Sequence, residues 1–145
     1  MKSEAPLKKD KKTILLVDDD AGNRDGMAEM LSDMGYQVLP GADGASALSI
    51  IRQSTCIDLI ITDYQMPDMN GLDLAMALRQ ILPAVPVIMV TAYGSIENYF
   101  RCMSLGVFEF VNKPIDEREF ERVVKAALHE SARKADAQEN DSLNI

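Results

Sequence analysis

Five short apolar runs, separated by segments with helical spacing, set the tightest limit on the fold of this chain. The runs cover residues 14–17, 36–39, 59–62, 87–90 and 108–111. Apolar residues between them recur at i, i+3, i+4 and i+7, as on one helix face, first at Met27, Met30, Leu31 and Met34. We expect Pro40-Gly41 to close the second strand. Strands that are apolar on both faces and alternate with helices predict a single α/β domain, a five-stranded parallel sheet between helical layers.

Several residues mark where the predicted helices begin and end. Gly35 and Gly106 follow helical segments, a common place for a glycine with positive φ. Asp116 with Glu119 resembles a capping box before the last helix. The fourth helix, with Ser95 as a candidate cap, carries apolar residues that share one face: Ile96, Tyr99, Phe100 and Met103. Ala45, Leu48 and Ile51 or Arg52 indicate the second helix.

The length and charge of the chain indicate one domain with two short tails. The 145 residues carry a net charge of −8, and this length predicts one domain. We assign residues 1–11 to a basic flexible tail, 12–130 to the domain and 131–145 to a polar tail. Residues 1–12 carry a net charge of +3 and residues 131–145 a net charge of −1, so residues 13–130 carry a net charge of −10. Such an acidic body argues against direct nucleic-acid binding, which depends on phosphate contacts.

The sequence also argues against a membrane protein or a secreted one. No apolar run approaches the roughly 20 residues of a membrane helix, and acidic residues follow the first run too soon for a signal peptide. Cys56 and Cys102 are far apart and have no CxxC spacing, which disfavours a zinc site or a disulfide scaffold. We therefore expect a cytoplasmic protein with reduced thiols.

Charged and polar side chains follow four of the five predicted strands. They are Asp18, Asp19 and Asp20 after the first, Asp63 after the third, Thr91 after the fourth and Lys113 after the fifth. Taken singly, the aspartates are typical of helix caps or solvated turns, Thr91 of an ordinary β-branched strand residue, and Lys113-Pro114 of a loop entry. In open α/β sheets, however, the working crevice lies beyond the carboxyl ends of the strands. Clustered carboxylates with no His or Cys nearby favour a hard cation, Mg²⁺ before Ca²⁺, and a lysine beside them suits a phosphoryl group.

The chain resembles the receiver domain of two-component response regulators over roughly residues 12–130. The similarity rests on Ile-Leu-Leu-Val-Asp18-Asp19, Leu-Ile-Ile-Thr-Asp63-Tyr-Gln-Met-Pro-Asp-Met-Asn-Gly71, Val-Thr91-Ala92 and Lys113-Pro114. The resemblance implies a doubly wound, flavodoxin-like sheet with strand order 2-1-3-4-5. It also implies signalling rather than turnover, with Mg²⁺-dependent self-phosphorylation and slow autodephosphorylation as the only chemistry.

The resemblance assigns a role to each residue of the acidic site. Asp63 would be the phosphoacceptor. Mg²⁺ would be bound directly by Asp19, Asp63 and the backbone carbonyl of Gln65, with Asp18 acting mostly through a water. Thr91 would donate its hydroxyl to the phosphoryl group.

The remaining implied roles concern Lys113, the output switch and the phosphoryl lifetime. Lys113 would pair with the phosphoryl group, and its bond to Pro114 is often cis in this family. Phe110 would be the switch aromatic, acting with Thr91 on a surface of helix four, strand five and helix five. The candidate residues of that surface are Tyr99, Arg101, Glu109 and Arg122. Gln65 and Tyr93 occupy positions that tune dephosphorylation, and the bulk of Tyr93 favours a longer-lived phosphoryl group.

The implied partners are a sensor histidine kinase or a histidine phosphotransfer protein, and a downstream protein target. The alternatives are a phosphorelay intermediate and a receiver excised from a longer regulator; the start at Met1 favours a stand-alone protein. Whether phosphorylation drives homodimerisation stays open, as do the cognate kinase and the cellular process. A remote alternative is a haloacid dehalogenase-type phosphatase with Asp18 as nucleophile and Asp20 as acid/base. It is disfavoured because Gly22 replaces the Thr or Val of that motif.

Overall fold

The computed structural model describes residues 11–53, 56–92, 94 and 96–143. Most of the predicted basic tail, as well as Tyr93 and Ser95, lies outside these residues. Strands and helices alternate along the described chain as β1 (Thr13–Val17), α1 (Ala21–Asp33), β2 (Gln37–Gly41), α2 (Gly44–Gln53), β3 (Leu59–Asp63), α3 (Gly71–Ile81), β4 (Val87–Thr91), α4 (Ile96–Ser104), β5 (Glu109–Asn112) and α5 (Glu117–Leu143).

The five strands form one parallel sheet in the order β2-β1-β3-β4-β5. This confirms the predicted fold class and the strand order implied by the family resemblance. Each face of the sheet has its own core. Leu15 and Val17 of β1 pack with residues of α2, α3 and α4, whereas Ile14 and Leu16 pack with residues of α1 and α5. The strands are apolar on both faces because both faces are covered by helices.

The helix ends follow the local chemistry of the sequence. Gly35 and Gly106 have φ of 99° and 95°, as predicted for glycines that end helices. The Glu119 amide donates to Asp116 Oδ1 at 3.0 Å, which confirms the cap of α5. One face of that helix is apolar and buried: Phe120, Val123, Val124, Ala127 and Leu128.

The end of the second strand differs from the prediction, and two predicted helices are present but bury residues that apolar spacing did not single out. Strand β2 continues through Pro40 to Gly41, which is tolerated because β2 is an edge strand and needs partners on one side only. Helix α2 buries Gly44, Ala47 and Ile51 and leaves Ala45 exposed. Helix α4 turns Cys102 towards the core, whereas Ile96, Tyr99 and Phe100 are exposed. Apolar spacing predicted a helix in both cases but not its rotation about its own axis.

Helix α5 continues to Leu143, so residues 131–143 of the segment interpreted as a polar tail are helical. Among the described helices, even this long one lacks the apolar character that crossing a bilayer requires.

Candidate metal centre

Three aspartates meet where β1 and β3 end. These strands are neighbours in register, with Val17 beside Thr62, so the residues that follow each strand emerge at the same edge of the sheet. One carboxylate oxygen from each of Asp18, Asp19 and Asp63 lies within 4.8 Å of the other two. Asp18 is 0% exposed and Asp63 is 7% exposed, whereas Asp19 is exposed. The parallel sheet therefore brings together the carboxylates singled out from the sequence.

Lys113 binds two of these carboxylates. Its Nζ donates to Asp63 Oδ2 at 2.9 Å and to Asp18 Oδ2 at 3.0 Å. Burial disfavours the lysine charge, but the hydrogen bonds and charges of Asp63 and Asp18 outweigh it, so the pKa of Lys113 lies above its ordinary value. The Lys113–Pro114 peptide bond is cis, as the family resemblance implied.

Backbone groups orient the same carboxylates. The Gln65 amide donates to Asp63 Oδ1 at 3.0 Å, and the Asp20 amide donates to Asp18 Oδ1 at 2.9 Å. Asp20 itself caps α1, since its Oδ2 accepts from the Asn23 amide at 2.8 Å. That contact engages the carboxylate that the phosphatase alternative would use as acid/base.

A cleft of about 190 Å³ collects the predicted phosphoryl-binding residues. Its lining includes Asp63, Gln65, Thr91 and Lys113, together with Asn23 and Ala92. Thr91 is 0% exposed at the end of β4, and its backbone carbonyl accepts from the Lys113 amide at 2.8 Å. One edge of the sheet thus brings a threonine, a lysine and an aspartate to the same small space.

Two residues at this site were not predicted from the sequence. Asn23 lines the cleft, and Arg24 Nη1 donates to the Asp18 backbone carbonyl at 2.8 Å. Both lie on α1, a few residues after Asp19. No sequence pattern singled them out, because their position depends on how α1 packs against the end of β1.

The donor set fits a magnesium ion. Three carboxylates and one ammonium leave a local charge of −2 at the cluster, which a divalent cation would neutralise. The side-chain ligands of the cluster are all oxygens, the type that Mg²⁺ prefers. Asp19, Asp63 and the Gln65 carbonyl stay the predicted direct ligands, with Asp18 acting through water.

Gly71 shapes the loop after Asp63. Its amide donates to the Tyr64 carbonyl at 2.7 Å, which closes the loop against the end of β3. An added Cβ at Gly71 would collide with the Asp63 carbonyl oxygen and lie 2.8 Å from Met89 Sδ. Gly71 is therefore needed for space rather than for a left-handed backbone.

Phe110 lies beside an open groove next to α4. The groove is about 450 Å³ and is lined by Gly94, Ile96, Tyr99, Phe100, Phe110 and Asn112. The Phe110 ring meets the Tyr99 ring edge-on, with centroids 5.8 Å apart. Thr91 pairs with Asn112, and Met89 pairs with Phe110. Because paired residues point to the same face and the strand period is two, Thr91 and Phe110 lie on the same face of adjacent strands.

Comparison with known proteins decides the family. The model of the response regulator receiver domain family matches residues 14–125. The chain belongs to this family. A receiver protein (CheY-like) from Methanospirillum hungatei JF-1 has a crystal structure that is similar with a TM-score of 0.79 and 31% identity, over 86% of this chain and 98% of that one.

Two curated relatives of this receiver are longer proteins. The receiver is 35% identical to the transcriptional regulatory protein GlrR of Escherichia coli (strain K12) over 123 residues, 85% of this chain and 28% of GlrR. It is 38% identical to the transcriptional regulatory protein CpxR of the same strain over 129 residues, 89% of this chain and 54% of CpxR. The receiver thus spans less than a third of GlrR and about half of CpxR.

Proposed function

We propose that this receiver accepts a phosphoryl group on Asp63 with the help of Mg²⁺, and that phosphorylation switches a protein-interaction surface. The observation that carries the proposal is the carboxylate of Asp63, held by Lys113 Nζ at 2.9 Å and within 4.8 Å of ligand atoms of Asp18 and Asp19. An acceptor carboxylate thereby lies beside a cationic side chain and within a cluster of carboxylates that fits a divalent ion.

The transfer itself needs a nucleophile and groups that neutralise charge. A carboxylate oxygen of Asp63 forms a bond to phosphorus while the bond from phosphorus to the nitrogen of a phosphohistidine breaks, and the departing imidazole takes up a proton. Lys113 and the Thr91 hydroxyl then stabilise the oxygens of the bound phosphoryl group. When bound, Mg²⁺ neutralises charge on the carboxylates and on the phosphoryl oxygens.

The proposed partners follow from this chemistry. The donor is a sensor histidine kinase or a histidine phosphotransfer protein, and the recipient of the signal is a protein. Two of the relatives are named as transcriptional regulators, so a receiver that controls a further part of a longer regulator is one alternative. A phosphorelay intermediate is the other. In each case the chain carries a signal and does not turn over a substrate.

The Mg²⁺ dependence of phosphorylation tests the proposal directly. With a small phosphodonor such as acetyl phosphate and excess Mg²⁺, we expect intact mass to rise by one phosphoryl group. With a chelator in place of Mg²⁺, we expect that increase to disappear, because the clustered carboxylates repel an incoming anion. A generic phosphomonoester should not be turned over; steady hydrolysis would favour the phosphatase alternative instead.

Phe110→Ala should separate phosphorylation from output. Phe110 lies on the same face as Thr91 and contacts Tyr99, so its loss removes the aromatic that would transmit a shift of Thr91 towards α4. We expect Asp63 to accept phosphate still, while phosphorylation-induced amide shifts in NMR spectra at Tyr99, Arg101, Glu109 and Arg122 are largely lost.

A matched control is Phe108→Ala, two residues earlier. Phe108 packs on the opposite core, with α1 and α5, so this variant should lose stability but keep the shifts. Equal phosphorylation-induced shifts in Phe110→Ala and the wild type would contradict the proposed role of Phe110.

A further inference from the structure

Helix α4 is only lightly packed on the domain. Of its nine residues, Cys102 alone is buried, while Ile96 is 76% exposed and Phe100 is 64% exposed. Apolar burial therefore contributes little to fixing the position of this helix. Polar contacts at its two ends therefore contribute more to holding α4 in position.

The C-terminal end of α4 is bound by Arg79 of α3. Arg79 Nη1 donates to the Leu105 carbonyl at 2.5 Å, and Nη2 donates to the Gly106 carbonyl at 2.8 Å. These two hydrogen bonds are charge-assisted, and the positive guanidinium also interacts favourably with the negative end of the helix dipole. This end of α4 is thus attached to α3, away from the acidic cluster.

The N-terminal half of α4 is bound by the residue that follows Asp63. The Tyr64 hydroxyl donates to Asn98 Oδ1 with an oxygen–oxygen distance of 3.3 Å. The Tyr64 amide donates to the Val90 carbonyl at 2.9 Å, and the Tyr64 carbonyl accepts from the Gly71 amide at 2.7 Å. With its backbone bonded on both sides and the residue only 8% exposed, Tyr64 links the end of β3 to α4.

We propose that Tyr64 is a positioning residue that restrains α4 through Asn98, so that a change at Asp63 reaches α4 by a route separate from Thr91 and Phe110. At 3.3 Å this bond is longer than the usual O–H···O distance of about 2.7–2.8 Å, which is typical of a weak restraint. A small displacement of Tyr64 or of α4 would weaken it further. The bonds of Arg79 stay in place and act as the pivot.

Amide hydrogen exchange of the unphosphorylated protein tests the restraint. We expect Tyr64→Phe, which removes only the hydroxyl, to speed exchange in the N-terminal half of α4 by about twofold to tenfold, as for loss of one hydrogen bond. Asn98→Ala should also speed exchange there. The double variant should exchange no faster than Asn98→Ala, since both substitutions remove the same hydrogen bond. Asn98 makes a further interaction, so this comparison, rather than Asn98→Ala by itself, isolates the pair.

Tyr36→Phe is the matched control, because Tyr36 packs on the opposite core and should leave exchange of α4 unchanged. Unchanged exchange in Tyr64→Phe, or effects of the two substitutions that add in the double variant, would overturn the restraint. These measurements need no phosphorylation, so they test whether Tyr64 restrains α4 independently of whether Asp63 is the acceptor.

The coupling to phosphorylation rests on the proposed function and is tested separately. Phosphorylated wild type should exchange α4 amides as fast as unphosphorylated Tyr64→Phe, and phosphorylation of Asn98→Ala should add little. Slow exchange in wild type whose intact mass shows a phosphoryl group would overturn the coupling alone. A protein that gains no phosphoryl mass would overturn the proposed function, and with it the coupling, while the restraint stands on the first comparison.

Discussion

Lys113→Met is expected to lower the free energy of unfolding in Mg²⁺-free solution by about 3–5 kcal/mol, the usual loss when one partner of a buried ion pair is removed. Lys113 binds Asp18 and Asp63, and its side chain is 13% exposed. Without it, two buried carboxylates lose their counter-charge and repel each other and Asp19. Methionine preserves most of the side-chain volume, so the loss of stability would come from the missing positive charge rather than from a cavity.

Magnesium should reverse much of this loss. The cluster without Lys113 carries three carboxylates, so we expect Mg²⁺ to bind the variant more tightly and to stabilise it more than it stabilises the wild type. Urea denaturation with Mg²⁺ and with a chelator measures both effects. Equal stabilisation of the variant and the wild type by Mg²⁺ would contradict a shared site for the lysine and the ion.

A matched control for this prediction is Lys125→Met. Lys125 pairs with Glu121 at 3.1 Å on α5, but the two side chains are 64% and 45% exposed. A surface pair of this kind contributes little to stability, and Mg²⁺ should not affect the variant differently from the wild type. The pKa of Lys113 is raised in the folded protein. The stabilisation that Lys113 provides is therefore complete below the pKa of a lysine in the unfolded chain, and it is lost as the pH rises through the pKa of Lys113 in the folded protein. The difference between the Lys113 variant and the wild type at neutral pH should therefore include the full lysine charge.

The fold and the acidic cluster follow from the sequence because both depend on short-range patterns. Each apolar run ends at a defined residue, and parallel strands end at a common edge, so Asp18, Asp19 and Asp63 had to emerge together. The strand order came from the family resemblance rather than from the spacing of apolar residues. The same resemblance suggested the cis bond before Pro114.

The features that the sequence did not reveal depend on how helices are rotated against the sheet. Helical spacing grouped Ile96, Tyr99 and Phe100 on one face, yet that face is exposed and Cys102 is buried. The contact of Arg24 with the Asp18 carbonyl and the contact of Tyr64 with Asn98 join different elements. Neither contact has a local sequence signature, because each depends on tertiary packing.

Asp63→Asn is expected to abolish phosphoryl incorporation altogether. An amide has nearly the shape of a carboxylate and can still accept a hydrogen bond from Lys113, but its oxygen is a far weaker nucleophile and its charge is lost. The substitution also removes one of the repelling carboxylates, so we expect the variant to remain folded. Loss of incorporation would then report chemistry and not unfolding.

Intact mass after exposure to a small phosphodonor and Mg²⁺ tests the central claim most directly, with Asp63→Asn compared with the wild type and with Asp68→Asn. Asp68 is an exposed aspartate of the same loop, so its substitution controls for a general loss of carboxylate. We predict one added phosphoryl group in the wild type and in Asp68→Asn, and none in Asp63→Asn. Equal incorporation in Asp63→Asn and the wild type would contradict the assignment of Asp63 as the phosphoacceptor.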